Sequence, residues 1–363
     1  MEEIKEKKPN KVMEFLTTTL NGMAFGLFAT LIIGTIISTI GNFFPSPNVV
    51  TNIGDFLSKI TGVGIGIGIA IVLKFDLLKT IVLGAAGGIT GYLSLSTKFV
   101  TDTSTYVSDP GYWGKFQIGD PLTIYLVVIL TALLMKLVLR HKTPVDILII
   151  PLFGVLVSMG LALGIRYPAI YVTFAIQWIV NEATNIVPFV MGIVVAVVMG
   201  MALTAPISSA AIAAMVFTGT GSGLAIASGA AVVGCCTQMV GFAIQSRKDN
   251  SIGMVISIGI GTSMLQFKNI LKKPVIWLPT IIASAILGPI STCLLHIVCM
   301  GSSAGMGTAG LVGLIGTYSS MGNTWQTWVG IFVLMIIAPA ILVYIIDLIF
   351  RKLNWIKEGD LKV

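Results

Sequence analysis

Runs of about 20 predominantly apolar residues recur from Phe15 to Phe350, each long enough to cross a hydrocarbon core of roughly 30 Å as a helix. In lipid every backbone N–H and C=O must find a partner within the protein, so only helices and closed barrels span a bilayer. The runs here are continuous rather than alternating, which is not the pattern of barrel strands. Only 10% of the 363 residues are charged and 55% are hydrophobic, against roughly 25% charged in a soluble domain. Too little polar surface remains for a water-soluble globule, and the chain is read as an all-α polytopic membrane protein. Phe15 to Ile40 exceeds a signal-peptide core and lacks a small-residue cleavage site, so it is read as a retained first helix. The expected division is an N-terminal tail over 1–14, one transmembrane domain over 15–350 and a C-terminal tail over 351–363.

Charge sets the orientation. The formal net charge of +7 comes mostly from residues at segment ends, leaving no basic face for nucleic acid. Lys5, Lys7, Lys8 and Lys11, then Lys136, Arg140 and Lys142, then Arg247 and Lys248, and finally Arg351, Lys352 and Lys357 mark cytoplasmic sides. Both termini are therefore expected inside, with the bilayer as the chain's surroundings. Cys235, Cys236, Cys293 and Cys299 all fall in apolar segments, where they read as small buried hydrophobes. With only two histidines, His141 and His296, neither a disulfide framework nor a metal site is indicated, and no cofactor is expected.

Along the chain, Gly41 to Ile60 reads as an outside loop with a short amphipathic piece, Lys74 to Lys79 as an inside turn, and Thr97 to Asp120 as an external loop. Val145 to Ile165 is expected to cross outward and end at Arg166 and Tyr167, and Ala169 to Val180 to return. The run Ile252 to Leu265 starts and ends at cytoplasmic markers, which suits a re-entrant hairpin or an interfacial helix. Neither GTGSG at 219–223 nor TGVGIGIGIA at 61–70 continues as a phosphate-binding loop, and the glycines of the second read as helix packing.

An internal echo is the strongest pointer to a site. ALTAPISSAAI around Pro206 and AILGPISTCLL around Pro289 share a Pro-Ile-Ser-Ser/Thr core, and each is followed by a Gly-rich stretch bearing Ser or Thr. Gly/Pro-interrupted apolar segments at corresponding places in two halves point to a transporter's binding site, because opened backbone in the membrane needs polar partners that a bound solute can supply. The competing reading is a pair of kinked, closely packed helices. The echo makes Pro206, Ser208, Ser209, Ser291, Thr292 and Thr308 candidates for substrate contact.

Between Asp146 and Arg247 the only acid is Glu182 and the only base Arg166. A lone carboxylate in an apolar region invites a functional role, and Asn181, Glu182 and Asn185 fall together at helical spacing. They suit either gripping sugar hydroxyls or capping a helix junction. Gln238 with Gln245, and Thr262, Gln266 and Asn269, form further polar stripes, serving either a ligand or helix packing. His296 reads as a satisfied core residue or a substrate contact, and Asp146 as a helix cap.

Three blocks, LTAPISSAAIA (203–213), GTSMLQFKNILKKPVIWLPTIIASAILGPIST (261–292) and GMGTAGLVGLIGT (305–317), resemble the membrane-embedded enzyme IIC component of the phosphoenolpyruvate-dependent sugar phosphotransferase system, in its second family. The resemblance implies a homodimeric, all-helical carrier with about ten crossings, re-entrant hairpins and an elevator-like transport domain. It also implies a sugar substrate, phosphorylated at the cytoplasmic face by a separate IIB protein that is itself charged by IIA. Carriers of this kind use an intramembrane Glu and a His, for which Glu182 and His296 are the counterparts by residue type. The expected function is a sugar permease of the bacterial plasma membrane, a group-translocating enzyme only when partnered. The alternatives are a facilitator or ion-coupled carrier independent of phosphotransfer, and a membrane solute sensor that moves nothing.

Overall fold

Glycine spacing decides how closely the N-terminal helices approach. In the computed structural model, which describes residues 11–41, 44–45, 48–95, 119–140, 143–205, 209–219 and 221–363, the chain opens with α1 (Lys11–Leu27) and α2 (Ile33–Gly41), joined through a π-helical turn. Then come α3 (Val49–Lys59) and α4 (Thr61–Val72), bent by 51° to one another, and α5 (Leu77–Leu93). A methyl at Gly62 or Gly66 would collide with backbone oxygens of α5, and one at Gly64 or Gly68 with backbone oxygens of α1. Glycines four apart thus clear both faces of α4, letting three backbones touch, as small residues do in membrane bundles.

Polar side chains start the helices at defined places, each satisfying a backbone N–H that the first turn leaves without an intrahelical partner. Asn48 accepts from Thr51 N at 2.9 Å, Asp76 from Lys79 N at 3.0 Å, and Asp120 from Thr123 N at 2.8 Å. The last of these opens α6 (Pro121–Val138), whose Ile124, Val128 and Met135 join Met23, Leu27, Ile65, Ile69 and Leu83 in one buried core.

α7 (Asp146–Ile186) departs from the expected path. It is one helix of 41 residues, about 60 Å at 1.5 Å per residue, and the chain does not reverse at Arg166 and Tyr167. Arg166 finds partners without ending the helix: its Nη2 donates to Tyr167 Oη at 3.0 Å and its guanidinium lies 4.8 Å over the Tyr167 ring. Pro151 and Pro168 are accommodated inside it, as prolines are in membrane helices whose neighbours compensate.

The rest of the chain is α8 (Pro188–Thr204), α9 (Ser209–Val216), α10 (Ser222–Ser246), α11 (Ile252–Ile256), α12 (Phe267–Lys272), α13 (Leu278–Pro289), α14 (Val312–Met321), α15 (Trp325–Val329) and α16 (Ala338–Lys352). A second core gathers Val195 and Met199 of α8, apolar residues of α10 from Leu224 to Met239, Leu287 of α13 and Ile331, Leu334 and Met335. Short α9 sits between the two cores, giving Ala211 and Ala214 to the first and Ala213 to the second. Among the described residues six helices are long and apolar enough to cross a membrane, or up to eight if each of two bent pairs is one span. No strand occurs among them. The polar stretch 97–118, together with Pro206 and Ser208, lies outside the described residues.

Candidate functional site

The second Pro-Ile-Ser segment unwinds as it leaves α13. Residues 290–295 widen into a π-helix, and His296 follows in the left-handed region at φ 46. Gly301, Gly307, Gly310 and Leu311 also have positive φ, so the backbone is repeatedly turned before α14 begins. Leu311, at φ 63, carries a side chain where glycine is the usual occupant. Local strain of this kind collects at functional sites, where the surrounding packing holds it in place.

The two echoed breaks meet. Ser209 Oγ, at the start of α9, donates to the Gly305 carbonyl at 2.6 Å, and Gly301 N donates to the Phe217 carbonyl at 2.8 Å. A methyl on Gly305 would run into the Ser209 carbonyl, and one on Gly229 of α10 into the Ile297 carbonyl, so both contacts require glycine. Thr308 Oγ1 donates to Gly259 O at 2.5 Å, tying the same opened stretch to the region after α11. The first break and α9 thus satisfy part of the freed backbone of the Gly-rich stretch that follows the second break.

One face of α7 leans over this junction with polar residues at every fourth position. Thr173 Oγ1 donates to Asp120 Oδ1 at 3.3 Å, and Gln177 Nε2 to Met215 O at 3.0 Å. Asn181 Oδ1 accepts from Leu224 N at 3.1 Å, and Asn185 Oδ1 from Ser222 Oγ at 3.1 Å. Asn181 thus caps α10 from another helix, taking one of its first-turn N–H groups. Asn181 Nδ2 also donates to Glu182 Oε1 at 3.0 Å, holding that half-buried carboxylate beside the positive end of α10.

A second polar node lies where α8 ends. Gln238 Oε1 accepts from Trp277 Nε1 at 3.0 Å, Thr280 Oγ1 at 3.0 Å and Thr204 Oγ1 at 3.3 Å. An indole N–H can only donate, which fixes the amide with its oxygen towards Trp277. Gln238 Nε2 is then left buried without a partner, a donor open to a ligand or water.

The remaining sequence candidates scatter. Ser291 Oγ is buried without a hydrogen-bond partner, whereas Thr292 Oγ1 donates to Pro188 O at 2.8 Å and faces α8. Gln266 Nε2 donates to Leu361 O at 2.9 Å and Asn269 Nδ2 to Lys362 O at 3.1 Å, so that stripe is occupied by the C-terminal segment. Gln245 Nε2 donates to Ile276 O at 3.3 Å. His296 is exposed rather than buried, because the left-handed turn swings it off the helix axis. Sequence reasoning passed over Gln177, Thr204, Ser263, Trp277 and Thr280. Only Gln177 left a trace, four residues before Asn181, since the others lie in separate apolar runs joined only by folding.

A many-spanned helical bundle whose two broken segments meet beneath a polar helix face defines a membrane carrier for a small polar solute. The sequence profile described as "Phosphotransferase system, EIIC" matches residues 17–363, and the chain belongs to that family. It is accordingly a multi-pass plasma-membrane component of sugar transport by the phosphotransferase system. No curated protein matches the chain at a significant level.

Proposed function

We propose that the chain binds a sugar where the two breaks meet and carries it across the membrane to a separate IIB protein, charged by IIA, for phosphorylation. The observation that carries this reading is the Ser209–Gly305 contact within a stretch of repeatedly left-handed backbone. Backbone opened in a membrane is tolerated where it lines a cavity or is buried in protein, and a polyhydroxylated solute supplies the complementary donors and acceptors. Asn181, Glu182 and Asn185 lie on the polar face over that junction, with Glu182 available to accept from sugar hydroxyls. Asn181 and Asn185 keep the capping role as well. Gln238 Nε2, one helix end away, is a further donor. Pro206, Ser208, Ser291, Thr292, Thr308 and His296 border the same two breaks in sequence, whereas the pairing of Gln266 with the C-terminal segment argues against a ligand role there.

Two cores separated by the small-residue face of α9 suit an elevator motion, with the C-terminal core moving against the N-terminal one in a homodimer. Six long spans, two bent pairs and the 17-residue apolar helices α5 and α8 are compatible with about ten crossings. In this arrangement residues 15–350 form one transmembrane domain with both termini in the cytoplasm.

The test is sugar-induced thermal stabilisation of the purified protein, followed by uptake into vesicles with and without IIA and IIB proteins. Glu182→Gln is expected to weaken binding by about 10- to 100-fold, the loss of a hydrogen bond to a charged group of roughly 1.5–3 kcal/mol. Unchanged binding in that variant would remove Glu182 from the site. Equilibration of unmodified sugar in vesicles lacking both proteins would identify a facilitator, and sugar binding with no flux under any condition a sensor.

A further inference from the structure

The chain between α10 and α13 forms a hairpin whose legs, Ile252–Gly261 and Ser263–Lys272, are bent by 119°. The start of the first leg is lightly packed, whereas Ile258, Ser263, Gln266 and Ile270 are buried. No residue of α11 is buried, and Ile252 is 80% exposed, Ile256 54% and Ile260 48%. Besides the buried Ile258 and Ile270, polar contacts on two sides fix the hairpin. On the inner side Ser263 Oγ shares a 2.9 Å hydrogen bond with Thr204 Oγ1, at the last residue of α8, just before the first break. Gly259 O takes the bond from Thr308 in the second break. One element therefore touches both broken segments.

On the outer side lies the end of the chain. Asp249 accepts from Gly359 N at 3.0 Å and Leu361 N at 3.2 Å, and Asn250 donates to Leu361 O at 2.7 Å and accepts from Val363 N at 2.9 Å. These two residues precede the first leg. The second leg supplies Gln266 and Asn269 to the Leu361 and Lys362 carbonyls, and just beyond it Lys273 Nζ lies 2.6 Å from Asp360 Oδ2. Burial works to raise the Asp360 carboxyl, but the Lys273 ammonium and the Lys357 N–H outweigh it and hold the group below its usual range. Leu361 and Ile356 are buried in one cluster with Ile258 and Ile270 of the hairpin. Residues 356–363 thus stitch the two legs together at their base.

We propose that residues 252–272 are a gate over the sugar pocket and that residues 356–363 latch it closed, a proposal that rests on the pocket assigned above. Of its apolar side chains the hairpin buries only Ile258 and Ile270, and segments with few buried apolar contacts open at lower free energy than the cores around them. Here opening breaks two inner hydrogen bonds and needs the strap to release. The strap bonds from Asp249, Asn250, Gln266 and Asn269 are made to tail backbone, and the Asp360, Ile356 and Leu361 side chains add their own contacts.

The test uses the full chain in a Cys293→Ser background, since the other three cysteines are buried. In the first arm Ser263→Cys reports opening through its rate of reaction with a thiol reagent. Adding Asn250→Ala and Asn269→Ala is expected to raise that rate about tenfold; an unchanged rate overturns the latch. In the second arm Asn269→Cys and Lys362→Cys are joined by a short bis-methanethiosulfonate cross-linker, each thiolate forming a disulfide with loss of methanesulfinate. Sugar binding is expected to persist while uptake falls at least tenfold and returns when the linker is cleaved by reductant. Undiminished uptake in the linked protein overturns the gate. The labelling arm needs no sugar, so a failed latch and a failed pocket are told apart: loss of the pocket reading shows as absent sugar binding in the unmodified chain.

Discussion

Gln238 shows how a single side chain organises this protein's interior. Its carbonyl oxygen collects donors from α8, α13 and the turn before α13. Replacing Gln238 by Met keeps shape and volume but strands the Trp277 indole N–H, at about 1–3 kcal/mol for a buried group left unsatisfied, whereas Thr280 keeps its bond to Trp277 O. The expected result is a clear drop in the detergent unfolding temperature, and an unshifted midpoint would show that the node contributes no stability. Sequence made part of this scale legible: Asn181, Glu182 and Asn185 fall together by helical spacing alone. Their partners, Leu224 N and Ser222 Oγ, were not legible, because capping one helix from another depends on how α7 and α10 cross.

Among the elements, the internal echo was readable and the contact between its halves was not. Composition marks a break, since Pro and Gly remove helical backbone bonds, but says nothing about what fills the gap. α7 illustrates the opposite failure. Arg166 in an apolar run reads as a helix end by hydropathy, whereas the structure satisfies it against Tyr167 and continues to Ile186. Within the second break Leu311 offers a direct test of stored strain. A non-glycine residue in the left-handed region costs roughly 1–2 kcal/mol, and Leu311 is already 46% exposed, so Leu311→Gly sacrifices little burial. That variant is expected to unfold at a slightly higher temperature while sugar uptake slows. Uptake equal to that of the parent would show that the strain has no part in turnover.

For the whole molecule, charge and gate make one argument. Arg247, Lys248, Lys268, Lys272, Lys273, Arg351, Lys352, Lys357 and Lys362 are spread over more than a hundred residues of sequence, yet the C-terminal strap draws those near its attachment points to one end of the fold. Arg351 also bonds Asp347 at 2.9 Å and lies 3.9 Å from Asp249, joining α16 to the end of α10 there. Lysine and arginine concentrate on the cytoplasmic side of membrane proteins, so this end, and the hairpin with it, is expected to face the cytoplasm. Single cysteines replacing Lys248, Lys268 and Lys357, again with Cys293→Ser, are expected to react with an impermeant maleimide in inverted vesicles and not in right-side-out ones. Labelling from the outer face alone would turn the molecule over and make the latched hairpin an entry gate instead. Group transfer by a cytoplasmic partner would then need the second break to open on the opposite side, where the exposed His296 and the segment before Gly301 would have to form the exit.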